Sequence, residues 1–132
     1  MSQDQLLLKL YDGTVNFTRL ARRGMEDKNP RIKGENISKV IAIVSELDCA
    51  LDREVGGEIA ANLSSLYQHI IFRLVDANLK NDVTGLDEVE DILIKLKEGF
   101  FEAAKINRAA QYESRNDQPV DADHKGGMCL AI

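Results

Sequence analysis

The sequence predicts an all-α protein, an antiparallel up-down four-helix bundle followed by a mobile C-terminal tail. Apolar residues recur at i, i+3, i+4 and i+7 in four successive segments, the period of an amphipathic helix. Short breaks rich in capping residues separate the segments, at Asn29-Pro30, Gly56-Gly57 and Asn81-Asp82. The one strand-like stretch, Val40-Ile41-Ala42-Ile43-Val44, continues in helical spacing through Leu47 and Leu51. The 132 residues suit one domain, and a content of 44% apolar and 30% charged residues is that of a globular chain. The bundle is expected over residues 1–110 and the tail over 111–132.

Helix one is expected to start at Ser2, which forms a capping box with Gln5. Its core face reads Leu6, Leu7, Leu10, Thr14, Phe17, Ala21 and Met25. Asn29 caps helix two and Pro30 suits its first position. The seam of that helix is Ile37, Val40, Ile41, Val44, Leu47 and Leu51, with Gly56-Gly57 as its left-handed stop. Helix three is then expected from about Glu58 to Lys80. Thr84 with Asp87 reads as the cap of helix four, and Glu88, Glu90 and Asp91 favour the positive end of its dipole. The seam of helix four is a clean heptad pattern, Leu86, Val89, Leu93, Leu96, Phe100 and Ala103. After Ala110 the period stops, and Pro, Gly, Asp, Asn and Ser replace apolar residues, as in a mobile tail.

Composition excludes several function classes. A net charge of −5 argues against nucleic-acid binding, which expects a basic patch. Two cysteines, Cys49 and Cys129, fit a reducing cytoplasm and not a disulfide scaffold. No apolar run is long enough to insert in a membrane, and the N-terminus lacks the parts of a secretory signal. Cys129-Leu130-Ala131-Ile132 has the outline of a prenylation box, but Ile is an unusual last residue and no polybasic stretch precedes it. No catalytic residues, metal ligands or cofactor-binding residues stand out. Metal sites in bundles use Glu-x-x-His pairs, whereas His69 follows Leu66 by three residues and His124 lies in the tail. Cys49 has no histidine near it in sequence.

The chain carries more apolar residues than its core faces need. In helix three, Leu63, Leu66, Tyr67, Ile70, Leu74 and Ala77 form one side, which Ile71 and Val75 widen. Phe72 and Leu79, seven apart, lie roughly opposite at about 100° of turn per residue, where a soluble helix is usually polar. Similar stripes are Leu8, Tyr11 and Val15 on helix one, Ile43 and Ala50 on helix two, and Ile94 and Phe101 on helix four. Contact with two neighbours inside a bundle explains Ile41, Ile71 and Val75. It explains Phe72, Leu79, Ile94 and Phe101 less well, and these read as a partner-binding surface.

Particular residues then point to a family. Asn62-Leu63-x-x-Leu66-Tyr67, followed by Arg73-Leu74-x-x-Ala77-Asn78-Leu79-x-Asn81-Asp82, resembles the FliS family of flagellin-specific export chaperones. Leu10-Tyr11-Asp12-Gly13, Glu46-Leu47-x-x-x-Leu51 and Leu86-x-Glu88-Val89 support the resemblance, which covers Ser2 to about Ala104. It implies a cytoplasmic helical bundle without enzymatic activity. The implied partner is the C-terminal segment of flagellin, disordered in the monomer, which such proteins hold in apolar grooves and present to the export gate. With Leu47, Tyr67, Ile71 and Asn78, the stripe residues make up the expected client contacts. The alternatives are a bundle with a different client, and histidine phosphotransfer through His69. For the latter, His69-Ile70-Ile71-Phe72-Arg73 lacks the His-x-x-Lys-Gly pattern of such modules. One departure concerns the start of the chain. Family members usually carry a tyrosine-bearing segment before the first helix, whereas this chain starts inside that motif, with Gln3 where Pro is common. Its truncation or loss would leave a groove uncovered and favour self-association.

Overall fold

A computed structural model describes residues 2–117, with side chains described through Glu102. Four helices follow in order, α1 (Gln3–Glu26), α2 (Pro30–Cys49), α3 (Arg53–Lys80) and α4 (Val83–Asp117). The connections, 27–29, 50–52 and 81–82, are short enough to force each helix back alongside the last. α1 packs on α2 and α4, and α3 packs on the same two helices. This cyclic order is that of an up-down four-helix bundle.

The caps explain where the helices begin and end. At α1, the Gln5 N–H donates to Ser2 Oγ (3.1 Å) and the Ser2 N–H to Gln5 Oε1 (3.0 Å), a complete capping box. At α2, the Ile32 N–H donates to Asn29 Oδ1 (3.2 Å), and Pro30 fills the first turn, where a missing N–H costs nothing. The turn between them is tight. The Asn29 N–H reaches the Gly24 carbonyl (2.8 Å), and a Cβ on Gly24 would lie 2.5 Å from the Lys33 backbone nitrogen. Only glycine permits that approach.

Several expected boundaries are corrected. Gly56-Gly57 does not stop α2, which ends at Cys49 with Ala50 as its C-cap. Asp52 caps α3 instead, its Oδ1 accepting from the N–H groups of Glu54 and Val55. Gly57, at φ 51° and ψ −124°, kinks α3 after its first turn, so the glycine pair bends a helix that had already begun. At α4, Asp82 accepts from the Thr84 N–H (3.0 Å), so the cap lies two residues before the expected Thr84. Asn81 closes α3 in the left-handed conformation, φ 54° and ψ 47°, which Asn tolerates better than most residues. α4 also runs past Ala110 to Asp117; the remainder of the expected tail, 118–132, lies outside the described residues.

The core is a single aliphatic cluster through the bundle. Ile37, Val40, Val44, Ile70, Leu74, Leu86, Val89 and Leu93 are fully buried, and Leu96 and Phe100 pack against them. Ala103 lies beyond the described side chains. The seam of α1 is rotated from its expected position. Leu7, Tyr11, Thr14, Val15, Thr18, Ala21 and Met25 are buried, Leu10 and Phe17 only half-buried, and Leu6 exposed. The threonines enter the core because their hydroxyls donate within the helix, Thr14 Oγ1 to the Tyr11 carbonyl (2.6 Å) and Thr18 Oγ1 to the Thr14 carbonyl (2.7 Å). Satisfied in this way, a threonine is nearly as easy to bury as a valine.

Candidate functional site

Contacts across the four inter-helix seams show which sides of the bundle are closed. Between α1 and α4, Arg19 pairs with Glu90 (2.9 Å), Arg22 with Asp87 (2.8 Å) and Glu90 (2.5 Å), and Lys97 with Asp12. Arg73 of α3 reaches Glu88 of α4 (3.0 Å), together with Asp76 (3.0 Å) and Asp82 (3.2 Å). Between α1 and α2, the Lys39 ammonium lies 5.2 Å from the centre of the Phe17 ring.

The α2–α3 seam differs. Among the described residues it is pinned only near its ends. At one end, Lys33 Nζ donates to the Asn78 carbonyl and to Asn81 Oδ1, both at 3.2 Å. At the other, Gln68 Nε2 donates to Asp48 Oδ2 (2.8 Å). By 100° of turn per residue, the outward positions between those pins are Gly34, Ser38, Ala42 and Ser45 on α2, and Phe72, Val75 and Leu79 on α3. None is charged. Ile41 and Ile71 pack half-buried beneath them. Phe72 is 68% exposed, Val75 44% and Leu79 81%. An apolar ridge on α3 therefore stands beside a strip of small residues on α2.

The sequence-predicted contacts divide among several surroundings. Phe72 and Leu79 stand out from the bundle as expected, and Ile71 and Asn78 lie half-buried beside them. Leu8 and Ile94 are half-buried and Phe101 is 42% exposed, all on the α1–α4 side. Ile43 is half-buried and Ala50 exposed, on the α1 side of α2. Tyr11 and Val15 are corrected from surface to core, and Leu47 and Tyr67, expected both in a core seam and as client contacts, are core only, each of the four below one-tenth exposed. The tyrosines are held there by each other, Tyr11 Oη to Tyr67 Oη at 2.7 Å, with the Phe100 ring 6.1 Å from that of Tyr11. Sequence reasoning placed Val75 with the core. Its i+3 spacing from Phe72 was the available signal for the ridge. Leu6, Leu20, Val55 and Ile59 are also exposed and were not anticipated.

Electrostatics follow the same division. Burial works to raise the Glu90 carboxyl, but bonds from Arg22 and Arg19 outweigh it and hold it below its usual range. At Asp48, burial is likewise outweighed by bonds from Ser64 and Gln68 and by the Arg53 charge. Burial pushes both the Tyr11 and Tyr67 hydroxyls up, so the pair is neutral through the ordinary pH range. These groups close or pin the bundle, and none is poised for proton transfer or nucleophilic attack. His69 is exposed on α3. Among the described residues, no cluster of His, Cys, Asp and Glu could hold a metal ion, and no helix is long and apolar enough to cross a membrane. What the surface can do is hold an apolar, uncharged segment.

Comparison with known proteins agrees with this arrangement. The family model described as flagellar protein FliS matches residues 1–107. The chain is 41% identical to the flagellar secretion chaperone FliS of Salmonella typhimurium over 86% of this chain and 84% of that protein. It is 43% identical to the flagellar secretion chaperone FliSB of Pseudomonas aeruginosa, over 73% and 76% of the two chains. With the FliS protein of Escherichia coli it shares 37% identity, over 77% and 76%. These relatives are chaperones and not enzymes by name. With a matching family model spanning most of the bundle and close relatives covering most of their own length, the chain belongs to the FliS family of flagellar export chaperones.

Proposed function

We propose that this protein is a cytoplasmic chaperone that binds the disordered C-terminal segment of flagellin, prevents its premature polymerisation and hands it to the flagellar export apparatus. The observation that carries the reading is the exposed ridge Phe72–Val75–Leu79 beside the small, uncharged outward residues of α2, in a chain whose relatives are flagellar secretion chaperones. A segment that folds into an amphipathic helix on binding buries its apolar face there and is no longer free to assemble. Ordering a disordered segment offsets several kcal/mol of the gross interaction, about 2–5. A large apolar footprint is therefore needed for useful affinity, and affinity stays low enough for later release.

Titration calorimetry with a flagellin C-terminal peptide tests the reading, with circular dichroism to follow induced helicity. Binding is expected at micromolar peptide, and weakened by Phe72→Ser and Leu79→Ser, whose exposed side chains leave the fold intact. Absence of heat and of induced helix at tens of micromolar would overturn it. Retention of flagellin binding by both variants, with loss of a different co-purifying protein, would move the reading to another client.

A further inference from the structure

We propose that the segment Met128–Ile132 docks on this chain's own bundle, over the apolar end formed by the starts of α1 and α3. The proposal does not depend on the identity of the client, because it leaves the ridge Phe72–Val75–Leu79 open. Three large apolar residues at that end are more than half exposed, Leu6 (51%), Val55 (58%) and Ile59 (53%). Two observations put them at one end. Lys97 of α4 pairs with Asp12, so the turns of α1 before Asp12 lie beside the part of α4 beyond Lys97. α3 runs antiparallel to α4 and packs on it, so its first turns lie at the same end. There Gly57, at φ 51° and ψ −124°, kinks α3 between Val55 and Ile59. A side chain at that position would be strained, so the kink belongs to the fold.

The sequence beyond α4 supplies a cover for this end. α4 has 35 residues against 28 in α3. From their short connection it therefore runs roughly 10 Å past the start of α3. A largely polar stretch, Gln118 to Lys125, and Gly126-Gly127 then lead to Met128-Cys129-Leu130-Ala131-Ile132, apolar throughout. In an extended chain Met128, Leu130 and Ile132 share one face, three large side chains for three exposed ones. Reach selects this end over the ridge. Met128 follows Asp117 by 11 residues, a span of at most about 40 Å. Val55 and Ile59 lie roughly 15–20 Å back from the end of α4, and Phe72 roughly 40 Å. The segment reaches the first pair with slack, and the ridge only at full stretch. Charge agrees. Glu54 and Glu58 adjoin Val55 and Ile59, are exposed, and enter no ion pair among the described residues. His124-Lys125 comes just before the apolar run, with Asp121 and Asp123 further back. Weak contacts suffice, because a short tether supplies an effective concentration in about the millimolar range.

Disulfide trapping in the full chain tests this. Cys49 and Cys129 are its two cysteines, so Cys49→Ser leaves Cys129, inside the docking segment, as the single native thiol. Into that background go Asn62→Cys or Ala61→Cys, both at exposed positions of α3. Asn62 neighbours Ile59 at i+3, whereas Ala61 lies about 160° around the helix from it. The two are at nearly the same level, so reach alone treats them equally. Intramolecular disulfide formation is followed in a glutathione redox mixture at low micromolar protein, and each rate is divided by that thiol's own rate with iodoacetamide. The expected rate is about tenfold or more higher for Asn62→Cys than for Ala61→Cys. Adding Leu130→Ser/Ile132→Ser is expected to bring it down to the Ala61→Cys rate. Unfolding curves confirm an intact bundle, as expected for positions open to solvent. Equal rates at the two sites overturn the proposal, as does a difference that survives Leu130→Ser/Ile132→Ser. Disulfides that join two chains instead of closing one assign the segment to a second copy and overturn it as well.

Discussion

Two glycines in neighbouring helices, Gly24 and Gly34, should respond oppositely to the same substitution. Alanine at Gly34 adds a Cβ into open space. The position is interior to α2, so the gain is the propensity difference of about 0.5–1 kcal/mol, largely from restricting the unfolded chain. Alanine at Gly24 puts a Cβ 2.5 Å from the Lys33 nitrogen, 3.0 Å from its Cα and 3.1 Å from the Ile32 carbonyl carbon. All three are backbone atoms of the first turn of α2, so no rotamer change relieves them. Relief requires α2 to move from α1 or the last turn of α1 to unwind, where the Asn29 N–H holds the Gly24 carbonyl. Overpacking of this kind costs about 1–3 kcal/mol, and propensity returns little of it in a final turn. The variants should therefore lie about 1.5–4 kcal/mol apart, with the wild type between them. Urea unfolding followed by circular dichroism measures this. At a slope of about 1.5 kcal/mol per M, the midpoints separate by roughly 1–3 M at unchanged slope. A Gly24→Ala midpoint at or above the wild type would refute the close approach of α1 and α2. A Gly34→Ala midpoint below it would show that Gly34 serves the fold of α2 and that its open surroundings are misread.

Three further outcomes follow from the core and the seams. Leu74→Ala, at a fully buried position, should lower stability by about 2–5 kcal/mol, whereas Leu79→Ala on the same helix should change it by less than about 0.5 kcal/mol; urea midpoints read both. Tyr67→Phe leaves the buried Tyr11 hydroxyl without its partner at 2.7 Å, a loss of about 1–3 kcal/mol. Tyr11→Phe/Tyr67→Phe should cost less than the sum of the single changes, as a double-mutant cycle would show. Because burial raises both hydroxyls, their contribution is fully present below the unfolded tyrosine value of 10.0 and is lost as pH rises above it. Glu90 has the opposite sign: its folded carboxyl is held below the ordinary 4.5, so its contribution is present above that pH and lost as pH falls through the depressed value. Glu90→Gln should flatten the fall in midpoint between pH 5 and pH 3, tested at low salt, where the Arg19 and Arg22 pairs are least screened.

How much of this was legible in the sequence differs from element to element, for physical reasons. Ser2 with Gln5, and Asn29 with Pro30, are local devices, complete within four residues, and both starts fell where expected. The end of α2 was harder. A glycine pair resembles a helix stop, but Asp52 had already capped the next helix, leaving Gly57 to bend it. Composition alone does not rank a glycine against an aspartate five residues earlier. The rotated seam of α1 has a different cause. Size-weighted periodicity favoured Leu6, Leu10 and Phe17, yet the chain buries Thr18 beside the expected Thr14, the polarity of both being cancelled within their own helix. That rotation carries Tyr11 inward, where its hydroxyl meets one 56 residues away. No local pattern predicts such a meeting, although a buried tyrosine always needs a partner.

The candidate site shows the same boundary between what is local and what is not. Phe72 and Leu79 stood out because one helix supplies its own reference: six residues on one side fix the core, and these two lie opposite. What made them a site was information from another helix. The apolar stripes on α1 and α4 are crossed by Arg19, Arg22, Glu90, Asp12 and Lys97, whereas among the described residues the seam beside Phe72 is pinned only near its ends. An apolar stripe within an ion-paired seam is held in a fixed setting, and a helix that displaces it must also break or desolvate charges. An apolar ridge beside small, uncharged residues asks for neither. Client segments should therefore engage the α2–α3 face first and the α1–α4 stripe of Leu8, Ile94 and Phe101 more weakly, so that Leu79→Ser lowers peptide affinity more than Ile94→Ser does. Equal losses would mean that exposure alone, and not the absence of charge, selects the surface.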